Sequence, residues 1–243
     1  MDAVAARLFS CMTVVAIHQP NYFPWLGYFS KMLQADVFIF LDDAQYTKNS
    51  YINRVQVLCN GLAKWLTIPV RVPLGTAIRD AAPSAEWVEA HLDRLSNYYQ
   101  MSANHGATLG ALREMFSAAK SSGNIADINM RLIRQTAERL GIKVDFQLAS
   151  ELDCGDKRAD DRLVKLVRTI DPAGVYLSGA GASSYQNPAK FTAAGLDLRM
   201  TKFRHPIYSQ GEQSFVPGLS FIDAVFWHGW ERTGAMLRAG TVQ

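Results

Sequence analysis

Four stretches of the chain carry side chains able to do chemistry. His18-Gln19 closes a β-branched run at residues 14–17. An imidazole whose ordinary pKa lies close to neutral can act there as a general base or acid. Pro20 follows at once, so a histidine that merely fixes the turn is the competing reading. Gln19 can orient a substrate amide or hydroxyl. Asp42-Asp43 end a second apolar run. Successive side chains leave a strand on opposite sides, so one carboxylate can face a site while the other holds a turn. Asp42 can orient His18. Magnesium shared with substrate is conceivable there, but no ligand set points to a metal and no cofactor is indicated.

Lys48, Asn53 and Arg54 share a polar segment with Tyr46 and Tyr51. Such a cluster can clamp a carboxylate or phosphate, and a solvated hairpin face has the same composition. The fourth stretch is SGAGASSY at residues 178–185. Gly179 and Gly181 permit positive φ, and successive amides there can cradle an anion between Ser178 and Tyr185. The pattern differs from a phosphate-binding P-loop, a dinucleotide fingerprint and a nucleophile elbow. A tight turn without a ligand is the alternative. His205-Pro206 and His228-Gly229 read first as structural.

These residues need elements to hold them. Residues 14–17 read as a buried strand, residues 26–35 as a helix and residues 37–41 as a second strand. That order makes a βαβ unit with parallel strands and a right-handed crossover. Asn60-Gly61 marks a hairpin turn, and Pro69 interrupts a strand starting at Trp65. Helical spacing runs through about residues 86–140, with Asn124 and Gly141 as boundaries. Strands at 143–148, 174–177 and 196–203 alternate with a helix at 159–170. Ser220 caps a last helix whose end reads as frayed. The expected fold is α/β: a mainly parallel central sheet flanked by helices, with a helical insertion in the middle. Ligands of such sheets bind beyond the carboxyl ends of the strands. His18, Asp42 and Ser178 all stand at such ends.

Composition narrows the class without naming a reaction. A chain of 243 residues has room for one large domain, expected over residues 12–238. Residues 1–11 read as a disordered tail, too short to span a membrane. A formal net charge of +3 does not suggest nucleic-acid binding. Three widely spaced cysteines argue against a disulfide framework, so a reducing cytoplasm is expected.

Two blocks look familiar together. The first is IHQPNYFPWLGYFSKMLQADVFIFLDDAQYTKNSYINRVQ from Ile17 to Gln56, followed by WLTIPV from Trp65. The second comprises VYLSGAGASSY, HPIYSQ and FVPGLSFIDAVF. Their order and spacing resemble the WbqC-like family of bacterial proteins over almost the whole chain. The chain departs from the family pattern near Gln186 and Trp227.

The resemblance implies a place in surface polysaccharide or O-antigen assembly. It also implies transfer of a glycine-type aminoacyl or other acyl group to an amino sugar or small amine. The implied catalytic set is His18 as general base with Asp42 and Lys48. Gln19, Tyr28, Asn53, Arg54, Ser178, Gly179, Gly181, Tyr185 and His205 are the implied substrate contacts. The partner is a small molecule, with the acyl donor free or bound to a carrier. No serine or cysteine stands in a nucleophile context, so direct transfer is favoured over an acyl-enzyme. A nucleotidyltransferase-like enzyme and a non-catalytic scaffold are the alternatives.

Overall fold

The computed structural model describes residues 12–155, 157–182 and 186–242. Short β-branched and aromatic runs become strands because both of their faces are covered. β1 (Val14–His18), β2 (Val37–Phe40) and β6 (Val175–Ser178) have interiors with almost no exposure. With β5 (Asp145–Leu148) and β7 (Asp197–Met200) they form one parallel sheet in the order β5-β2-β1-β6-β7. Between β2 and β5 lie the hairpin β3 (Arg54–Cys59) and β4 (Leu62–Thr67), then the helices α2 (Val88–Tyr98), α3 (His105–Lys120) and α4 (Ile125–Arg139). These three helices occupy the span expected for the helical insertion. Asn60 and Gly61 turn the hairpin with φ of 50° and 74°, as a two-residue loop requires.

The sheet alternates its side chains between two cores. Ala16, Phe38, Phe40 and Leu177 pack with α1 (Leu26–Leu33), with α2–α4 and with α7 (Phe221–Gly240). Val15, Ile17, Ile39 and Tyr176 pack with α5 (Ala159–Ile170) and α6 (Pro188–Ala193). The chain moves from β1 to β2 in one direction and from β6 to β7 in the other. With right-handed crossovers this puts α1 and α6 on opposite faces. The connections leaving β1 and β6 therefore diverge, and a crevice opens beyond the ends of these neighbours.

The strand expected over residues 196–203 differs. Residues 196–203 do not form one strand. β7 stops at Met200, and β8 (Lys202–Phe203) pairs antiparallel with β9 (Thr241–Val242). The last helix does not fray either: α7 runs to Gly240 and passes into β9. A Cβ on Gly240 would lie 2.5 Å from the Arg204 carbonyl oxygen, so only glycine allows this approach. α7 also changes direction at Gly229, whose φ is 75°.

The helical insertion reaches back to the turn after β1. Asn129 of α4 is fully buried and donates to the carbonyls of Pro20 at 2.9 Å and Ile52 at 2.7 Å. Tyr22 hydrogen-bonds His91 of α2 at 2.8 Å, and the other ring nitrogen of His91 lies 3.1 Å from the Thr67 carbonyl oxygen. Replacing Asn129 by Leu strands two buried carbonyls. Urea unfolding should show a loss of about 2–4 kcal/mol. An unchanged midpoint would mean the turn does not need this tie.

Candidate functional site

The crevice between β1 and β6 has a volume of about 580 Å³. β1 and its turn contribute Ile17, His18 and Gln19, and α1 with its entry contributes Trp25, Gly27, Tyr28 and Lys31. Tyr176, Ser178, Gly179, Ala180, Gly181 and Gln186 form the opposite wall, closed by Thr201 and Phe203. On α1, Gly27, Tyr28 and Lys31 share a face by their spacing. Helical side chains lean towards the helix N-terminus, which here lies at the strand ends.

The turn from β1 to α1 is buried and carries two prolines that cannot donate, so its carbonyls find partners elsewhere. Lys31 Nζ donates to the Ile17 carbonyl at 2.7 Å, and the Leu41 amide donates to that of His18 at 2.9 Å. Tyr28 Oη serves Gln19 at 3.0 Å and Ser220 Oγ serves Phe23 at 2.7 Å. The Phe221 amide serves Pro24 at 3.1 Å. Phe23 is held at a φ of 39°, an uncommon conformation for an aromatic residue, with its ring fully buried against Phe116 and Phe221.

His18 Nδ1 lies 3.1 Å from the Gln19 carbonyl oxygen. A carbonyl only accepts, so this bond places the proton on Nδ1 and leaves the Nε2 lone pair available. Burial, and then the charge of Lys31, pull the His18 pKa down to about 3 against the partial support of that carbonyl. The ring is therefore neutral at physiological pH. Lys31 is 4% exposed, and burial lowers its pKa to about 7. No carboxylate stands among the described residues lining the crevice. The Tyr176 ring centroid lies 6.0 Å from Lys31 Nζ.

Ser178 Oγ donates to Gln186 Oε1 at 2.7 Å, and the Gln186 amide reaches Tyr176 Oη at 3.3 Å. Among the described residues, Ser178 thus faces an amide and no base. Gly179 and Gly181 do not take positive φ; a short 3₁₀ turn over Ala180–Ala182 carries the loop instead. A Cβ on either glycine would meet open space. Tyr185 lies outside the described residues. His205 stacks on Trp25 with centroids 6.2 Å apart and planes at 6°, so it backs the crevice wall without lining it.

The remaining sequence candidates lie elsewhere. Asp42 is buried and accepts from the Ser150 amide at 3.1 Å, tying the end of β2 to the segment after β5. Asp43 pairs with Arg162 at 2.6 Å. Lys48 is exposed and does not line the crevice. Asn53 is buried and donates to the Ile68 carbonyl at 3.0 Å. The Arg54 guanidinium lies 4.0 Å over the Trp65 ring. The structure therefore gathers His18, Gln19, Tyr28, Ser178, Gly179 and Gly181, and leaves Asp42, Lys48, Asn53 and Arg54 outside. Lys31 lies within the first family block, Ile17 to Gln56, with no chemical role read for it from the sequence. Its signal was position: it is the one cation in a short, otherwise mostly apolar helix that starts at the strand ends. Among the described residues no group of three or more His, Cys, Asp or Glu is placed to hold a metal ion.

The burial of Lys31 has a consequence for stability. Its folded pKa of about 7 lies below the ordinary 10.5, so between these values the unfolded chain binds more protons than the native one. Stability from this group rises with pH across that window. Urea unfolding at pH 6, 8 and 9 should show that rise, and Lys31→Met should flatten it. A parallel pH profile in Lys31→Met would contradict the assignment.

The profile of the WbqC-like protein family matches residues 19–235. The uncharacterized protein Rv1507c of Mycobacterium tuberculosis (strain ATCC 25618 / H37Rv) is 30% identical over 226 residues, covering 90% of this chain and 96% of that protein. No solved structure matches. No helix among the described residues is long and apolar enough to cross a membrane. The match along most of the chain, including the crevice residues from Gln19 to Phe203, places this chain in the WbqC-like family.

Proposed function

We propose that the chain is a transferase that moves a glycine-type aminoacyl or other acyl group directly from an activated donor to an amine. The acceptor is an amino sugar or similar small amine used in surface polysaccharide assembly, as expected for the family. The observation that carries the reading is the placement of His18, whose bond at Nδ1 leaves the Nε2 lone pair available, in an open crevice at the point where the sheet changes winding direction. The acceptor nitrogen attacks the acyl carbon, and the bond from that carbon to the leaving group breaks. The proton lost by the amine passes to His18 Nε2 and from there to the leaving group. Gly179 and Gly181 leave open space beside the loop backbone, where the oxyanion can be accommodated. Ser178 is engaged with Gln186, which supports direct transfer over an acyl-enzyme.

The test is turnover of acetyl and glycyl thioesters of coenzyme A with glucosamine as acceptor. His18→Ala should lower kcat by about 100-fold or more while the protein remains folded. Turnover unaffected by that substitution would exclude His18 as the base. The strand order β5-β2-β1-β6-β7 is also that of the first five strands of dinucleotide-binding sheets, which favours nucleotidyl transfer as a second reading. Consumption of ATP or CTP with magnesium, without acylated amine, would select it.

A further inference from the structure

We propose that the crevice recognises a phosphate monoester carried on a ring, with the phosphate on the Lys31 ammonium and the ring on the Trp25 indole. The inference deepens the transferase reading by naming the class of its substrate, and rests on that reading for the step that follows binding.

Lys31 is a buried cation whose one hydrogen bond among the described residues goes to a main-chain carbonyl, and the described lining holds no carboxylate to balance it. A buried charge is normally paired, so the crevice lacks an anion that a ligand can supply. Two other lining side chains are also uncommitted. The Gln19 amide and the Thr201 hydroxyl line the same crevice and make no side-chain hydrogen bond among the described residues. One ammonium and two further donors suit a tetrahedral anion with several oxygens better than a carboxylate with two.

The rim supplies the second half. Trp25 is 42% exposed at the crevice, an unusual position for an indole that does not fill the core. Three neighbours fix it. His205 stacks behind it, and its six-membered ring lies so close to Gly27 that a Cβ there would come within 2.1 Å. Phe203 meets it edge-on at 5.7 Å. The part of the indole left exposed, held rigid at a crevice mouth, offers a stacking surface to a sugar or base at little entropic cost.

The phosphate also bears on His18. The positive charge of Lys31 is one cause of the low His18 basicity, so an anion seated on Lys31 offsets part of it. Binding of this substrate then makes the proposed base a better proton acceptor.

The test is calorimetric titration with inorganic phosphate, glucosamine, glucosamine 1-phosphate and uridine monophosphate. A ring phosphate should bind at least about tenfold more tightly than either inorganic phosphate or glucosamine. Lys31→Met should weaken every phosphate ligand at least about tenfold. Trp25→Ala should remove the gain from the ring and leave inorganic phosphate unchanged. The tighter of the two ring phosphates identifies the source as sugar or nucleotide. Absence of binding by all three phosphates, or equal binding by Lys31→Met, overturns the phosphate site. A ring gain that survives Trp25→Ala overturns the platform.

Wild-type protein gives an independent check with sulfate, whose charge is constant from pH 6 to 9. Among the described residues, the titratable groups facing Lys31 are His18 from β1, Tyr28 from its own helix and Tyr176 from β6. His18 stays neutral over this range, and burial holds the Tyr28 hydroxyl protonated. Sulfate affinity should therefore fall above pH 7, approaching about tenfold per pH unit; a flat profile overturns the proposal. Because no acyl donor is present, phosphate binding without turnover counts against the transferase alone. Turnover without phosphate binding counts against the phosphate site alone.

Discussion

The turn that carries the chain from β1 into α1 must be buried, and its backbone oxygens must still be satisfied. Pro20 and Pro24 remove two local donors, so partners come from across the molecule. Asn129 of α4, Ser220 and Phe221 at the start of α7, and Tyr28 and Lys31 of α1 each supply one or more. The helical insertion and the C-terminal helix are thus tied to the same few residues that shape the crevice. This explains why the middle of the chain, which adds no strand to the central sheet, is joined to it through one hydrophobic core.

Holding the turn this way places Lys31 where a lysine is costly. Its ammonium caps the Ile17 carbonyl, but one carbonyl does not replace the water lost on burial. The same charge lowers the basicity of His18. Both groups are therefore held away from their ordinary protonation behaviour. Perturbed groups of this kind cluster at functional sites. Here the perturbation follows from the geometry of the turn itself, and a bound anion is the natural way to relieve it.

Much of the scaffold is legible in the sequence because its signals are local. The β-branched run before His18, the helical spacing after Trp25 and the Asn60-Gly61 turn each act within a few residues. Asn124 caps α4 through the Asp127 amide, a contact that spans three positions. The β8–β9 pair shows the limit. Two residues at each end, far apart in sequence, meet only because α7 returns the chain past Arg204. The site was legible where a strand end itself forms it, as at His18 and Ser178. Asn53 and Arg54 have chemically active side chains, yet the hairpin spends them on Ile68 and Trp65. Lys31 had the opposite disguise, since one lysine in an amphipathic helix reads as its solvent face. Only the tertiary packing of α1 over the sheet shows that it has none.

The chemistry proposed for the crevice depends on Lys31 being a buried cation beside a neutral His18, with no balancing carboxylate among the described lining residues. Lysine-selective ¹³C NMR titration measures this most directly, with Lys31→Met to assign the signal. One lysine should titrate with a midpoint of about 7, and that midpoint should move upward when sulfate is added. A Lys31 signal titrating at the ordinary value of about 10.5 would contradict this assignment.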